Sequence, residues 1–138
     1  MEELYKSKFL LFTFNFSFFT EFMKESVLKI KSYEFAISIV NTCRKLTDAK
    51  EFVLSKQLLR SGTAIGALVR EAEFGQSRAD FSSKLSIALK EANETDYWIS
   101  LLRDTDYLPE KEFECLSIPC KELIRILVAS VKTARGEK

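Results

Sequence analysis

Histidine is absent from this chain, and its 138 residues hold only two prolines and four glycines. So little punctuation favours long uninterrupted helices over a turn-rich sheet. A zinc site needs about four close ligands, and without histidine Cys43, Cys115 and Cys120 cannot make a standard one. An odd, irregularly spaced set of thiols is not a disulfide framework either. Buried, reduced thiols of a cytoplasmic protein are expected instead. Neither sign of charge dominates: 21 Lys+Arg stand against 20 Asp+Glu. Global charge therefore draws the chain neither to nucleic acid nor to an anionic membrane. There is no phosphate-binding glycine loop and no nucleophile motif, so no enzyme, cofactor or small-molecule substrate is expected. What the chain does have is apolar content, at 46% enough for one domain to bury a core unaided.

The apolar residues are unevenly spread. Seven of the 12 phenylalanines lie before residue 23, most of them in the run from Phe9 to Phe19. Glu2 and Glu3 spoil a signal peptide's basic start, and a bilayer span needs about 20 apolar residues. Residues 1–22 are expected to be an N-terminal extension, first as a misassigned start before Met23. A disordered or loosely packed tail ranks next, and a membrane-associated segment over residues 9–19 last. Residues 23–138 form the domain.

Four amphipathic helices follow from spacing. The first runs from about Ser26 to Thr47, with Ile30, Tyr33, Ile37, Val40 and Leu46 as its apolar face. The second, about Phe52 to Phe74, carries Leu54, Leu58, Ile65, Leu68, Val69 and Ala72, and Gly75 offers a left-handed stop. Its small residues Ser61, Gly62, Ala64, Gly66 and Ala67 allow close approach of a neighbour. The third starts at a capping pair, Ser77 with Asp80, and runs to about Asp104 on Phe81, Leu85, Ala88, Leu89, Ala92 and Ile99. A second stripe, Ile87, Trp98 and Leu101, is the expected oligomer interface. The fourth starts near Pro109 and carries Leu116, Cys120, Leu123, Ile124, Leu127, Val128 and Val131. Pro119 should kink or restart it. Short connections make this an all-α, antiparallel up-down-up-down four-helix bundle.

Ordered motifs run across the second and third helices: Arg60, Ser61, Ile65 and Glu71; then Ser77, Asp80 and Phe81; then Ile87, Ala88, Glu91, Glu94 and Thr95. In these the chain resembles the bacterial four-helix-bundle proteins of the 23S rRNA intervening-sequence family. The resemblance implies a ring-like homopentamer with no catalytic activity. It also implies kinship with the accessory proteins of diversity-generating retroelements, hence RNA or DNA and a reverse transcriptase as partners. The family often has Asn where this chain has Leu68, and the accessory proteins are markedly basic where this chain is near neutral.

Two clusters carry the candidate chemistry. Lys121, Arg125, Lys132 and Arg135 fall within about 80° of arc on the fourth helix and form the candidate nucleic-acid stripe. Arg60, Glu71, Glu91 and Glu94 form a candidate structural polar network, because charges in apolar surroundings need partners. The rival reading of these carboxylates is a carboxylate-bridged metal-binding bundle enzyme, which normally adds Glu-x-x-His pairs that this chain cannot supply. The leading expectation is a non-enzymatic, homo-oligomeric scaffold or adaptor that touches RNA or DNA.

Overall fold

The computed structural model describes residues 1–137, with the side chains of all but residues 12, 14, 15, 21 and 24–26. Four helices make up the fold: α1 Glu2–Asp48, α2 Val53–Glu73, α3 Arg78–Asp104 and α4 Glu110–Arg135. Each packs on the next, and α1 closes against α4. Cross-helix bonds give the directions. Lys29 meets Glu73 at the end of α2, whereas Cys43 further along α1 reaches the Ser55 carbonyl near its start. The same opposition joins α2 to α3 through Lys84–Glu71 and Arg60–Glu91. Arg135–Ser86 and Cys120–Ala92 join α3 to α4, and Lys31–Glu122 and Lys45–Glu112 join α1 to α4. Neighbouring helices are thus antiparallel around the ring, and the chain is all-α among the described residues.

The core is filled from all four helices, with Ile39, Leu58, Ile65, Ala88, Ile99, Leu102 and Leu127 fully enclosed. Burying one Leu or Ile side chain contributes about 1.5–3 kcal/mol, so these positions dominate the bundle's stability. The small residues of α2 act as the sequence suggests. A Cβ on Gly62 would lie 2.8 Å from Ile39 Cγ1, which any larger residue would have to push aside. Ser77 Oγ accepts from the Asp80 N–H, and Asp80 Oδ2 accepts from the Gln76 N–H, a reciprocal cap on α3.

Several expectations are corrected. The apolar face anticipated on α1 is largely its outer face. Ile30, Tyr33 and Ile37 are exposed, and the core takes Leu28, Phe35, Ile39, Cys43 and Leu46. The helix has apolar residues on both sides, and the side that meets the small-residue groove of α2 is the one buried. Gly75 is not left-handed; a Cβ there would stand 3.1 Å from the Phe81 backbone nitrogen and the Ala72 carbonyl, so a side chain would require that backbone to give by a few tenths of an ångström. Left-handed backbone occurs instead at Lys50, Asp106 and Gly136. Pro119 neither ends nor restarts α4, which runs through it. The residue four positions before it, Cys115, is exposed, so the carbonyl that proline leaves unpaired can be hydrated. That exposure also corrects the picture of three buried thiols. Only Cys43 and Cys120 are enclosed, and burial raises their thiol pKa to about 11 and about 12.

Residues 2–22 continue α1 without a break, so no change of secondary structure marks the division at residue 23. No described side chain before Leu28 is buried. At 1.5 Å per residue this leading half of α1 is a rod of roughly 40 Å beyond the last core contact.

Candidate functional site

The basic stripe on α4 forms because that helix places acid at its start and base at its end. Glu110 and Glu112 occupy the first turn, Lys132 and Arg135 the last, each favoured by the helix dipole. Lys121, Arg125, Lys132 and Arg135 are all exposed. Among the described residues none of them forms an ion pair with a carboxylate. Lys29, Lys31, Lys45, Arg60, Lys84 and Arg103 are each tied to one, while Arg44, Lys50, Lys56, Arg70, Lys90 and Lys111 are unpaired among the described residues but scattered over other parts of the bundle. Sequence reasoning missed Arg78, which joins the end of this stripe. Its Nε donates to the Ala134 carbonyl at 3.2 Å and a terminal nitrogen to Thr133 at 3.5 Å, covering carbonyls that the end of α4 leaves open. Arg135 reaches back to Ser86 Oγ at 3.2 Å. A shallow groove results, lined by Arg78, Ser82, Ser83, Ser86 and Arg135.

The polar network sits between α2 and α3. Arg60 forks, one nitrogen to Glu91 at 3.2 Å and the other to Glu94. Trp98 Nε1 donates to the same Glu94 oxygen at 3.0 Å. Below them Thr95 Oγ1 donates to Ser61 Oγ at 3.0 Å inside the core. The Arg60 hydrogen bond, then that of Trp98, holds the Glu94 carboxyl below its usual range. Half of the Arg60 side chain is exposed against 19% for Glu91, so the cluster is wetted rather than enclosed. Glu71 stands apart, about three turns further along α2, and binds Lys84 at 2.9 Å. Between Glu91 and Glu94 the guanidinium already stands where a bridging cation would have to sit. Among the described residues no group of three or more metal-type ligands converges.

The three proposed interface residues on α3 do not share one environment. Ile87 is exposed, whereas Trp98 packs its ring against the core and sits edge-on to Tyr97 at 4.9 Å between centroids. Leu101 is half-buried.

A second missed residue is Glu51. It is only 8% exposed, and its carboxylate accepts from the N–H groups of Val53 (3.2 Å), Leu54 (2.9 Å) and Ser55 (2.7 Å). It therefore satisfies the open end of α2 from outside the helix. Burial raises its pKa, but those three N–H groups outweigh it and leave the carboxyl below the ordinary glutamate value. The readable signal was an acid two residues ahead of an apolar helix start.

Residues 24–129 match the 23S rRNA-intervening sequence protein family. The chain belongs to that family. A crystal structure described as a protein with unknown function from the S23 ribosomal protein family, from Bacteroides thetaiotaomicron VPI-5482, is 53% identical. It matches with a TM-score of 0.77, over 79% of this chain and 98% of the other. No match is found among curated proteins. In this member of the 23S rRNA-intervening sequence family, the ordered motifs turn out to be the α2–α3 joint. Arg60 with Glu91 and Glu94, Ser61 with Thr95, Glu71 with Lys84 and the Ser77–Asp80 cap all hold one helix to the other or start it. Among the described residues, no helix is long and apolar enough to cross a membrane.

Proposed function

We propose that this family member is a non-enzymatic, cytoplasmic scaffold that assembles with copies of itself and binds RNA or DNA through the basic face of α4. The observation that supports this most is the clustering of cations on α4. Lys121, Arg125, Lys132 and Arg135 share one arc of the helix, are exposed and pair with no carboxylate among the described residues. Free cations on one face are what phosphate contacts require. Near-neutral net charge does not oppose this, because an assembly repeats a local patch in every subunit. In the homopentamer that the family resemblance implies, four cations become a belt of about twenty, and phosphate contacts are cumulative. A reverse transcriptase is the protein partner that the same resemblance implies.

Such binding ignores sequence, since nothing on the α4 face offers a base-reading constellation. It also falls steeply with salt as counterions are released. Binding of single-stranded RNA and duplex DNA across a salt series, beside a variant with all four cations changed to Ser, tests the reading. The expected result is a steep salt slope that flattens in the variant. No binding at low salt contradicts it, and binding unchanged in the variant places the contact elsewhere.

A further inference from the structure

We propose that the outer face of α1 is a coiled-coil seam whose occupant is the α1 of a second copy of this chain, lying parallel to it. The inference rests on the reading of the chain as self-assembling and adds an interface that the bundle's other surfaces do not provide.

The seam is written in spacing. Phe9, Phe16, Phe19, Met23, Ile30, Tyr33 and Ile37 are between 47% and 67% exposed. Their steps of 7, 3, 4, 7, 3 and 4 keep every one at an a or d position of a single heptad register. A period of 3.5 rather than 3.6 residues is what two helices wound around each other need, and it persists here for about four heptads. The register crosses from the projecting half of α1 into the half that is packed in the bundle without losing phase. In sequence the two remaining d positions are Phe12 and Ser26.

Geometry and charge select the occupant. Leu28, Phe35, Ile39 and Leu46 bury the opposite side of α1, at about 180° from Ile30 and Ile37 on a wheel of 100° per residue. Two bundles would therefore stand on opposite sides of the seam without colliding. If each of seven side chains per copy loses on the order of 100 Å², the pair buries about 1,400 Å², within the range of specific interfaces. Lys29 and Glu34 flank the seam at g and e; Lys29 is held by Glu73 of its own α2 at 2.8 Å but stays 39% exposed, so in a parallel pair each Glu34 comes beside a cation still partly open to it. A lipid surface is the poorer occupant. Up to residue 25 the sequence sets Lys6, Lys8 and Lys24 against Glu2, Glu3, Glu21 and Glu25, without the basic face that interfacial helices use.

The test is site-directed cross-linking of the full chain with the exposed Cys115 changed to Ser. Phe16→Cys, at an a position, should give mostly disulfide-linked pairs under mild oxidation at micromolar concentration. Ser17→Cys, one residue round the helix, should give few. Adding Phe9→Glu and Phe19→Glu should abolish the Phe16→Cys product while the bundle's thermal transition remains. Equal cross-linking at 16 and 17, or none at either, overturns the seam. Absent cross-linking with co-flotation of the full chain on anionic vesicles overturns it in favour of lipid. The mass of a chain started at Met23 and carrying Ile30→Glu and Ile37→Glu, which removes both halves of the seam, reports assembly through the bundle surfaces alone when read by light scattering. Failure of that assembly is therefore distinguishable from failure of the seam.

Discussion

Both halves of α1 are rich in large apolar residues, phenylalanine in the first and mixed aliphatics in the second, and they behave differently. From Leu28 to Leu46 the helix buries one apolar side against α2 and α4 and leaves Ile30, Tyr33 and Ile37 outside. From Leu4 to Phe22 every large apolar side chain described is exposed, with Phe9, Phe16 and Phe19 each 60% exposed or more. Hydrophobic content therefore does not by itself decide burial. What separates the halves is a partner surface. The C-terminal half meets a strip of α2 where Gly62 lets Ile39 close in, and in the N-terminal half no described side chain before Leu28 is buried.

That contrast can be broken most sharply at the inner face. Ile39 is fully enclosed, and Ile39→Ala should cost about 2–5 kcal/mol of unfolding free energy in urea titrations. Ile37→Ala, two residues away and exposed, should change it by under about 0.5 kcal/mol when measured in a chain started at Met23. Equal losses would mean that both faces of α1 serve the bundle.

A smaller effect is expected where α1 hands over to α2. Glu51→Gln should destabilise by about 1–3 kcal/mol, because three N–H groups at the start of α2, that of Ser55 buried, lose a charged acceptor. The lowered pKa fixes the sign of the pH dependence. The wild-type carboxylate stabilises fully above the unfolded glutamate value, and that contribution disappears as pH falls through the lower folded value. Urea midpoints of wild type and Glu51→Gln should therefore differ at neutral pH and converge in acid. A constant difference across that window would show that packing, not charge, is what Glu51 supplies.

The smallest effect belongs to Arg60→Ala. With half of the side chain in solvent, the fork to Glu91 and Glu94 is screened, so the loss should be slight and should vanish in high salt. A large, salt-independent loss would mean that the motif residues hold the α2–α3 joint by burial.

Much of this was legible beforehand. Helices α2, α3 and α4 follow from apolar spacing, and Ser77 with Asp80 announced the start of α3, because those signals are local. The choice of face on α1 was not, because both sides carry apolar residues and only the shape of α2 discriminates between them. Glu51 was missed because glutamate is a poor local cap and works here only where the turn after α1 folds it back over α2. Arg78 joins the α4 stripe through tertiary contact alone. Of the candidate polar residues, Arg60, Glu91 and Glu94 lie on facing turns of antiparallel helices, and the same geometry carries Glu71 away to Lys84.

The claim that one face of α1 builds the fold while the other is kept for assembly is tested most directly by residue-resolved hydrogen exchange along α1. The full chain is compared with its Phe9→Glu, Phe19→Glu variant at the same concentration. The expected result is unchanged protection of the amides from about 28 to 46 in both, with protection over about 9 to 22 lost only in the variant. Protection lost along the whole of α1, or kept over 9 to 22 in the variant, would contradict it.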